Sequence, residues 1–176
     1  MKLYLSELKK AEGDFLPYSA RLELDPLGTD FSQNEKIILE VDLKAAYVQH
    51  QVLLKGKWWA KVRAACGRCL DEFTLLLQGS IDDEFKQLKD SGEKGDGLAF
   101  VDEEKGDDFI FRGDVLDLRE YFRQLFLIAQ PLKILCRNDC KGLCPICGTN
   151  KNRNDCDCAE DNIDPRWSML QKLKEG

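Results

Sequence analysis

The sequence predicts an α+β fold: an antiparallel, barrel-like sheet with one packed helix, followed by a cysteine-rich C-terminal lobe. Three observations predict it. Residues 36–81 carry successive runs of apolar/polar alternation joined by short polar breaks. Residues 114–130 switch to a helical apolar stripe. Residues 132–160 lose both periods while holding six of the eight cysteines.

Residues 1–10 are charged where a signal peptide needs an apolar run, and no stretch approaches the roughly 20 apolar residues of a membrane span, so a cytoplasmic chain is expected. Ile37, Leu39, Val41, Leu43, Ala45 and Tyr47 face one side and Lys36, Glu40, Asp42 and Lys44 the other, which makes 36–48 a strand with one buried face. After a break at Gln49-His50-Gln51, Val52, Leu54, Trp58, Ala60, Val62 and Ala64 read as one or two strands, turned or bulged at Gly56. Alternation must bury one ring of Trp58-Trp59 and expose the other, where it can dock a partner or cover a sheet edge. Beyond Cys69, Phe73, Leu75 and Leu77 resume the period and extend it toward Ile81. Short connections between adjacent strands favour antiparallel pairing.

The stretch 89–107 is rich in glycine and acid and is expected to be a mobile loop with a short strand at Leu98–Val101. A helix should follow, with Asp114 as N-cap, Asp117 and Glu120 in its first turns, and Leu118, Phe122, Leu125 and Ala129 on one stripe beside Tyr121 and Ile128. Pro131 stops it. A core domain of 1–131 and a lobe of 132–176 result, and Asp164-Pro165-Arg166-Trp167 reads as the start of a short terminal helix.

Charge is uneven along the chain. Residues 1–70 carry 11 basic and 9 acidic side chains, residues 71–120 carry 6 and 16, and residues 121–176 carry 9 and 7. The acidic middle is unlike the basic face of a nonspecific nucleic-acid binder.

The cysteines carry the chemistry. Cys144-Pro-Ile-Cys147-Gly148 has the form of a zinc knuckle: two intervening residues let both sulfurs face one metal, and the glycine can take positive φ to turn amides toward the thiolates. Cys156-Asp-Cys158 completes four sulfurs within fifteen residues. Cys66-Gly-Arg-Cys69, placed between two strands, needs two more ligands, and Cys136 and Cys140 are the natural pair. The other division gives Cys136 and Cys140 to the C-terminal site and leaves a spare pair. Two structural zinc ions are expected under the four-and-four division. Disulfides do not suit a reducing cytosol. A thioredoxin-like centre needs its Cys-x-x-Cys to open a helix, whereas a strand follows Cys69. An iron–sulfur cluster shares the donor set, but the knuckle form and the tight Cys-x-Cys pair favour zinc.

No enzyme is expected. All-thiolate sites leave no position open for water, the single histidine, His50, sits at a turn, and the glycines at 92, 95 and 97 lie in acidic sequence that repels phosphate. Neither a membrane nor a small-molecule substrate is indicated. Lys133, Arg137, Lys141, Lys151 and Arg153 surround the C-terminal cysteines, either to offset thiolate charge or to bind a partner such as a phosphate backbone.

Cys66-Gly-Arg-Cys69-Leu70 after a strand, a helix ending in Gln130-Pro131-Leu132, then Cys136-x3-Cys140-Lys-Gly-Leu-Cys144-Pro-x-Cys147-Gly, Cys156-x-Cys158 and Asp164-Pro-Arg-Trp167 resemble the YceD family. These are bacterial and chloroplast large ribosomal RNA subunit accumulation proteins, and the resemblance runs from about residue 35 to 173. It implies a non-catalytic role in 23S rRNA accumulation or processing during large-subunit assembly, with the pre-ribosomal large subunit or its assembly proteins as partners. Direct RNA contact is left open by the acidic middle block. The competing expectation is a zinc-stabilised protein–protein adaptor without a ribosomal role, for example in transcription.

Overall fold

The computed structural model describes residues 1–11, 13–25, 36–88, 100–102 and 108–158. The chain forms two compact units: Met1–Ala64 with Thr74–Leu132, and Ala65–Phe73 with the chain from Lys133 onward.

The first unit is built on a six-stranded sheet. In chain order its strands are β2 (Leu16–Leu24), β3 (Ile37–Val48), β4 (Gln51–Ala65), β5 (Glu72–Leu88), β6 (Phe100–Asp102) and β7 (Asp108–Arg112). Their spatial order is β2-β3-β4-β5-β7-β6. β1 (Lys2–Tyr4) and β8 (Val115–Asp117) pair separately, and the helices are α1 (Leu5–Lys10) and α2 (Arg119–Ile128).

The barrel-like closure does not form among the described residues. β2 and β6 lie at opposite ends of the strand order, and β5 pairs with β7 in parallel, so the sheet is mixed. A parallel pair cannot be joined directly by a hairpin; β6, which precedes β7 in the chain, pairs antiparallel with it on the side away from β5.

The β3–β4 hairpin turns at Gln49 and His50, both with positive φ (48° and 66°), a primed turn whose twist suits the flanking strands. β4 runs unbroken through Gly56, neither turned nor divided. A Cβ there would clash with the Asp42 carbonyl oxygen, so the glycine permits close approach of β3. Inward alternation places Leu39, Val41, Leu43, Leu54, Trp58, Ile81 and Phe85 in the core. Trp58 lies against Gly79, where a Cβ would come within 2.6 Å of the indole nitrogen. Trp59 is half-buried on the outer face.

α2 starts five residues later than Asp114. That aspartate sits in the turn between β7 and β8, where its carbonyl accepts from the Leu5 amide and its carboxylate pairs with Lys9 at 3.0 Å. The buried Asp117 carboxylate instead receives the Arg119 amide and guanidinium. Burial alone raises the Asp117 carboxyl, but those bonds outweigh it and hold it below the ordinary carboxylate value. α2 packs through Phe122, Phe126 and Tyr121, the last edge-on to Phe85 and Phe109. Ile128 is exposed.

Within 89–107 only Phe100–Asp102 is described, as β6, which overlaps the short strand expected at Leu98–Val101. The terminal helix expected from Asp164 lies outside the described residues. No helix among the described residues is long and apolar enough to cross a membrane.

Candidate metal centres

The second unit brings the eight cysteines into two groups, Cys66/Cys69/Cys136/Cys140 and Cys144/Cys147/Cys156/Cys158, with the sulfurs of each group within 4.8 Å of one another. The four-and-four division is therefore the one the fold adopts. Cys66 Sγ is 3.8 Å from Cys140 Sγ, and Cys69 Sγ is 3.7 Å from Cys136 Sγ. Disulfide sulfurs bond at about 2.05 Å, and all eight thiols are free. A tetrahedron with metal–sulfur bonds of about 2.3 Å has edges of about 3.8 Å, so the donor set fits a tetrahedral metal ion.

Both Cys-x-x-Cys loops fold alike. In the first, the Leu70 amide donates to the Cys66 carbonyl at 2.9 Å and the Cys66 amide to the Asp71 carbonyl at 2.9 Å. In the second, the Gly148 amide donates to the Cys144 carbonyl at 2.9 Å and the Cys144 amide to the Thr149 carbonyl at 2.8 Å. The residue after the second cysteine is left-handed in both, with φ 61° at Leu70 and 73° at Gly148. Glycine adopts that conformation at no steric cost, and leucine does not.

The first group is the more enclosed. Cys66, Cys69 and Cys140 are buried and pack with Phe73, Leu135 and Cys136, and the Gly67 amide ties the hairpin tip to the Ile134 carbonyl at 2.8 Å. In the second group only Cys144 is buried, and Cys147 is exposed.

Crowded thiols divide their protons unequally. Burial raises the Cys66 thiol, but the backbone amides of Cys136, Cys69 and Arg68 outweigh it and bring it down to about 6. The Asp71 amide favours a Cys69 thiolate, yet burial and the thiols of Cys66, Cys140 and Cys136 push that group up to about 12. In the second group the Thr149 hydroxyl and amide lower Cys147 to about 6, and proximity to Cys147, aided by burial, lifts Cys158 to about 12. Several thiolates cannot coexist at such separations without a cation among them.

Sequence reasoning did not find Asp71, Thr149, Asn150 and Asn152. The Asn152 side chain donates to Cys140 Sγ at 3.3 Å and accepts from the Lys141 amide at 2.9 Å and Arg137 at 2.7 Å. Asp71 receives Asn150 at 2.9 Å and Arg153 at 2.8 Å. Such bonds fix ligand orientation around a metal. The uncharged asparagines within the basic run 150–154 were the available signal. Of the five expected partner-binding cations, Arg137 and Arg153 thus bond within the lobe. Lys133 and Lys141 are exposed, and the Lys151 amide donates to the Gly142 carbonyl at 2.9 Å.

His50 stays at its turn, 3.3 Å from the Tyr47 hydroxyl, which donates to Gln87 at 2.6 Å.

The fold and site define a class: a mixed-sheet protein carrying two closed four-cysteine clusters able to hold metal ions. Residues 54–174 match the family model described as large ribosomal RNA subunit accumulation protein YceD. The chain belongs to that family. It is 28% identical over 156 residues to uncharacterized proteins of Mycobacterium tuberculosis and Mycobacterium bovis, covering 88% of this chain and 69% of theirs. It is also 32% identical over 60 residues to the chloroplastic large ribosomal RNA subunit accumulation protein YCED homolog 1 of Arabidopsis thaliana, covering 34% of this chain and 19% of that one. No solved structure matches significantly.

Proposed function

We propose that this protein is a non-catalytic, zinc-binding cytoplasmic factor that supports 23S rRNA accumulation or processing during assembly of the large ribosomal subunit. The observation that carries the reading is that the family match, over residues 54–174, contains all eight clustered cysteines. The metal scaffold and the segment bearing the family's name thus coincide. Zinc suits the role because four thiolates close its coordination sphere, leaving a structural ion that fixes loops and no site for a reacting water. The exposed Lys133 and Lys141 lie on the lobe where contact with a pre-ribosomal partner is expected.

Gradient sedimentation of cell extract tests the ribosomal role and metal analysis tests the cofactor. The protein should travel with large-subunit precursors, its depletion should lower mature 23S rRNA, and purified protein should carry two zinc ions per chain. A protein that stays at the top of the gradient, with 23S rRNA unchanged on depletion, would be an adaptor outside the ribosome. Iron in place of zinc, or one metal per chain, would sink the cofactor assignment.

A further inference from the structure

Strand β4 presents an unusual outward row. Lys55, Lys57, Lys61 and Arg63 alternate with buried residues and are exposed, and Trp59 sits in their midst. Strand geometry sets these side chains about 6.7 Å apart, two residues at about 3.3–3.4 Å each. On the neighbouring strand Ile38 is 42% exposed. A depression of about 340 Å³ opens beside the indole, lined by Arg21, Ile38, Glu40, Trp59 and Lys61.

The acids around the row are largely engaged. Glu40 receives Arg21 at 2.9 Å and the Trp59 indole at 2.6 Å, Asp82 pairs with Lys55 at 3.4 Å, and Asp42, opposite Lys57, accepts from Ser19. β5, hydrogen-bonded to β4, is uncharged from Phe73 to Ile81. From that side the acidic middle of the chain reaches the row at Asp82, beside Lys55, while the uncharged stretch includes Gly79, which lies against Trp58. Because the indole N–H is already bound to Glu40, Trp59 has no donor edge to offer a partner. What it offers is its π face.

We propose that the outward row of β4 is a track for single-stranded RNA, with Trp59 stacking a base in the depression beside it and Lys57 and Lys61 holding the flanking phosphates. A flat aromatic face between regularly spaced cations is the combination that binds single strands: every base has a π face, and cations at alternate strand positions follow an extended backbone. An acidic peptide would use the cations and leave the stacking surface idle. The proposal rests on the ribosomal reading for its biological setting and deepens it by naming the face that meets RNA. It does not depend on the cysteine clusters.

The test is fluorescence anisotropy of a labelled oligouridylate of about twelve nucleotides titrated with the full, metal-loaded chain at several salt concentrations. Trp59→Ala should weaken binding roughly 5- to 100-fold, and Trp59→Phe should restore most of it. Lys61→Gln, an exposed side chain, should reduce the slope of log K against log salt by about 0.7, and it decides the matter if Trp59→Ala does not fold. Absence of binding, an affinity indifferent to both substitutions, or equal displacement by polyglutamate would overturn the track. Continued migration with large-subunit precursors in that case would leave the ribosomal reading standing on protein contacts alone.

Discussion

At the scale of single residues, the two knuckles provide a comparison within one chain. Their hydrogen bonds match, yet the left-handed position is held by Gly148 in one and by Leu70 in the other, and Leu70 is 66% exposed. A left-handed L-residue costs roughly 1–2 kcal/mol, and glycine returns roughly 0.5–1 kcal/mol of that through its freer unfolded chain. Leu70→Gly should therefore stabilise the lobe by about 0.5–1 kcal/mol, seen as a higher urea midpoint at unchanged slope. Gly148→Ala should destabilise it by about 1 kcal/mol through backbone strain alone, because a Cβ there meets nothing within 4 Å. If Leu70→Gly lowers the midpoint, the leucine side chain contributes packing that its exposure does not suggest. The cysteine pairs were legible from sequence because spacing within a pair is local, although the 67 residues between Cys69 and Cys136 are closed only by the fold. Asp71 and Asn152 were not, since each meets its partners across a chain separation that only the fold closes, such as the 82 residues between Asp71 and Arg153.

At the scale of elements, β3, β4 and β5 were readable because each buries one face and alternates accordingly. β2 carries the same signal in Leu16, Tyr18, Ala20, Leu22 and Leu24 and pairs antiparallel with β3. The parallel β5–β7 pair could not be read, because pairing between strands that are not consecutive in the chain has no local signature. α2 begins beyond Asp114 because that residue, though a good capping type, is engaged by Lys9 and Leu5 in a turn. The two metal sites are also elements, and their unequal burial predicts unequal release. A chelator should strip the Cys144/Cys147/Cys156/Cys158 site first, since Cys147 is exposed, and the site holding buried Cys66, Cys69 and Cys140 later. Cys147→Ser and Cys69→Ser should each remove one metal and spare the other. The pH dependence follows from the proton count. In the metal-free protein Cys158 holds its proton to about 12 and Cys147 to about 6, so at neutral pH metal uptake must release protons, and falling pH must favour the metal-free form. Calorimetry in two buffers of different ionisation enthalpy measures that release. Uptake without proton release would contradict the proton distribution described for the clusters.

At the scale of the whole molecule, the chain divides its stabilisation between two physical sources. The unit of Met1–Ala64 and Thr74–Leu132 contains no cysteine and buries a core of Leu39, Trp58, Phe85, Phe111, Phe122 and Phe126, enough apolar surface to fold without a metal. The unit of Ala65–Phe73 and the chain from Lys133 holds all eight cysteines and, among its described residues, only one isolated β-bridge outside the strand ends, Leu143 with Asn150. Loops of that kind lack the ladders and apolar burial to hold themselves, and metal binding supplies the folding free energy instead. Removal of metal from the intact chain should therefore unfold one unit and spare the other. Hydrogen exchange after chelation should show amides in 65–73 and 133–158 losing protection by orders of magnitude, while those of β3, the first part of β4, and α2 keep theirs. Readdition of zinc should restore protection in the same two segments together, because Cys66 and Cys69 share a cluster with Cys136 and Cys140. Uniform loss of protection across β3 and α2 would show instead that the sheet depends on the metal, and that the division into a self-sufficient core and a metal-held lobe is wrong.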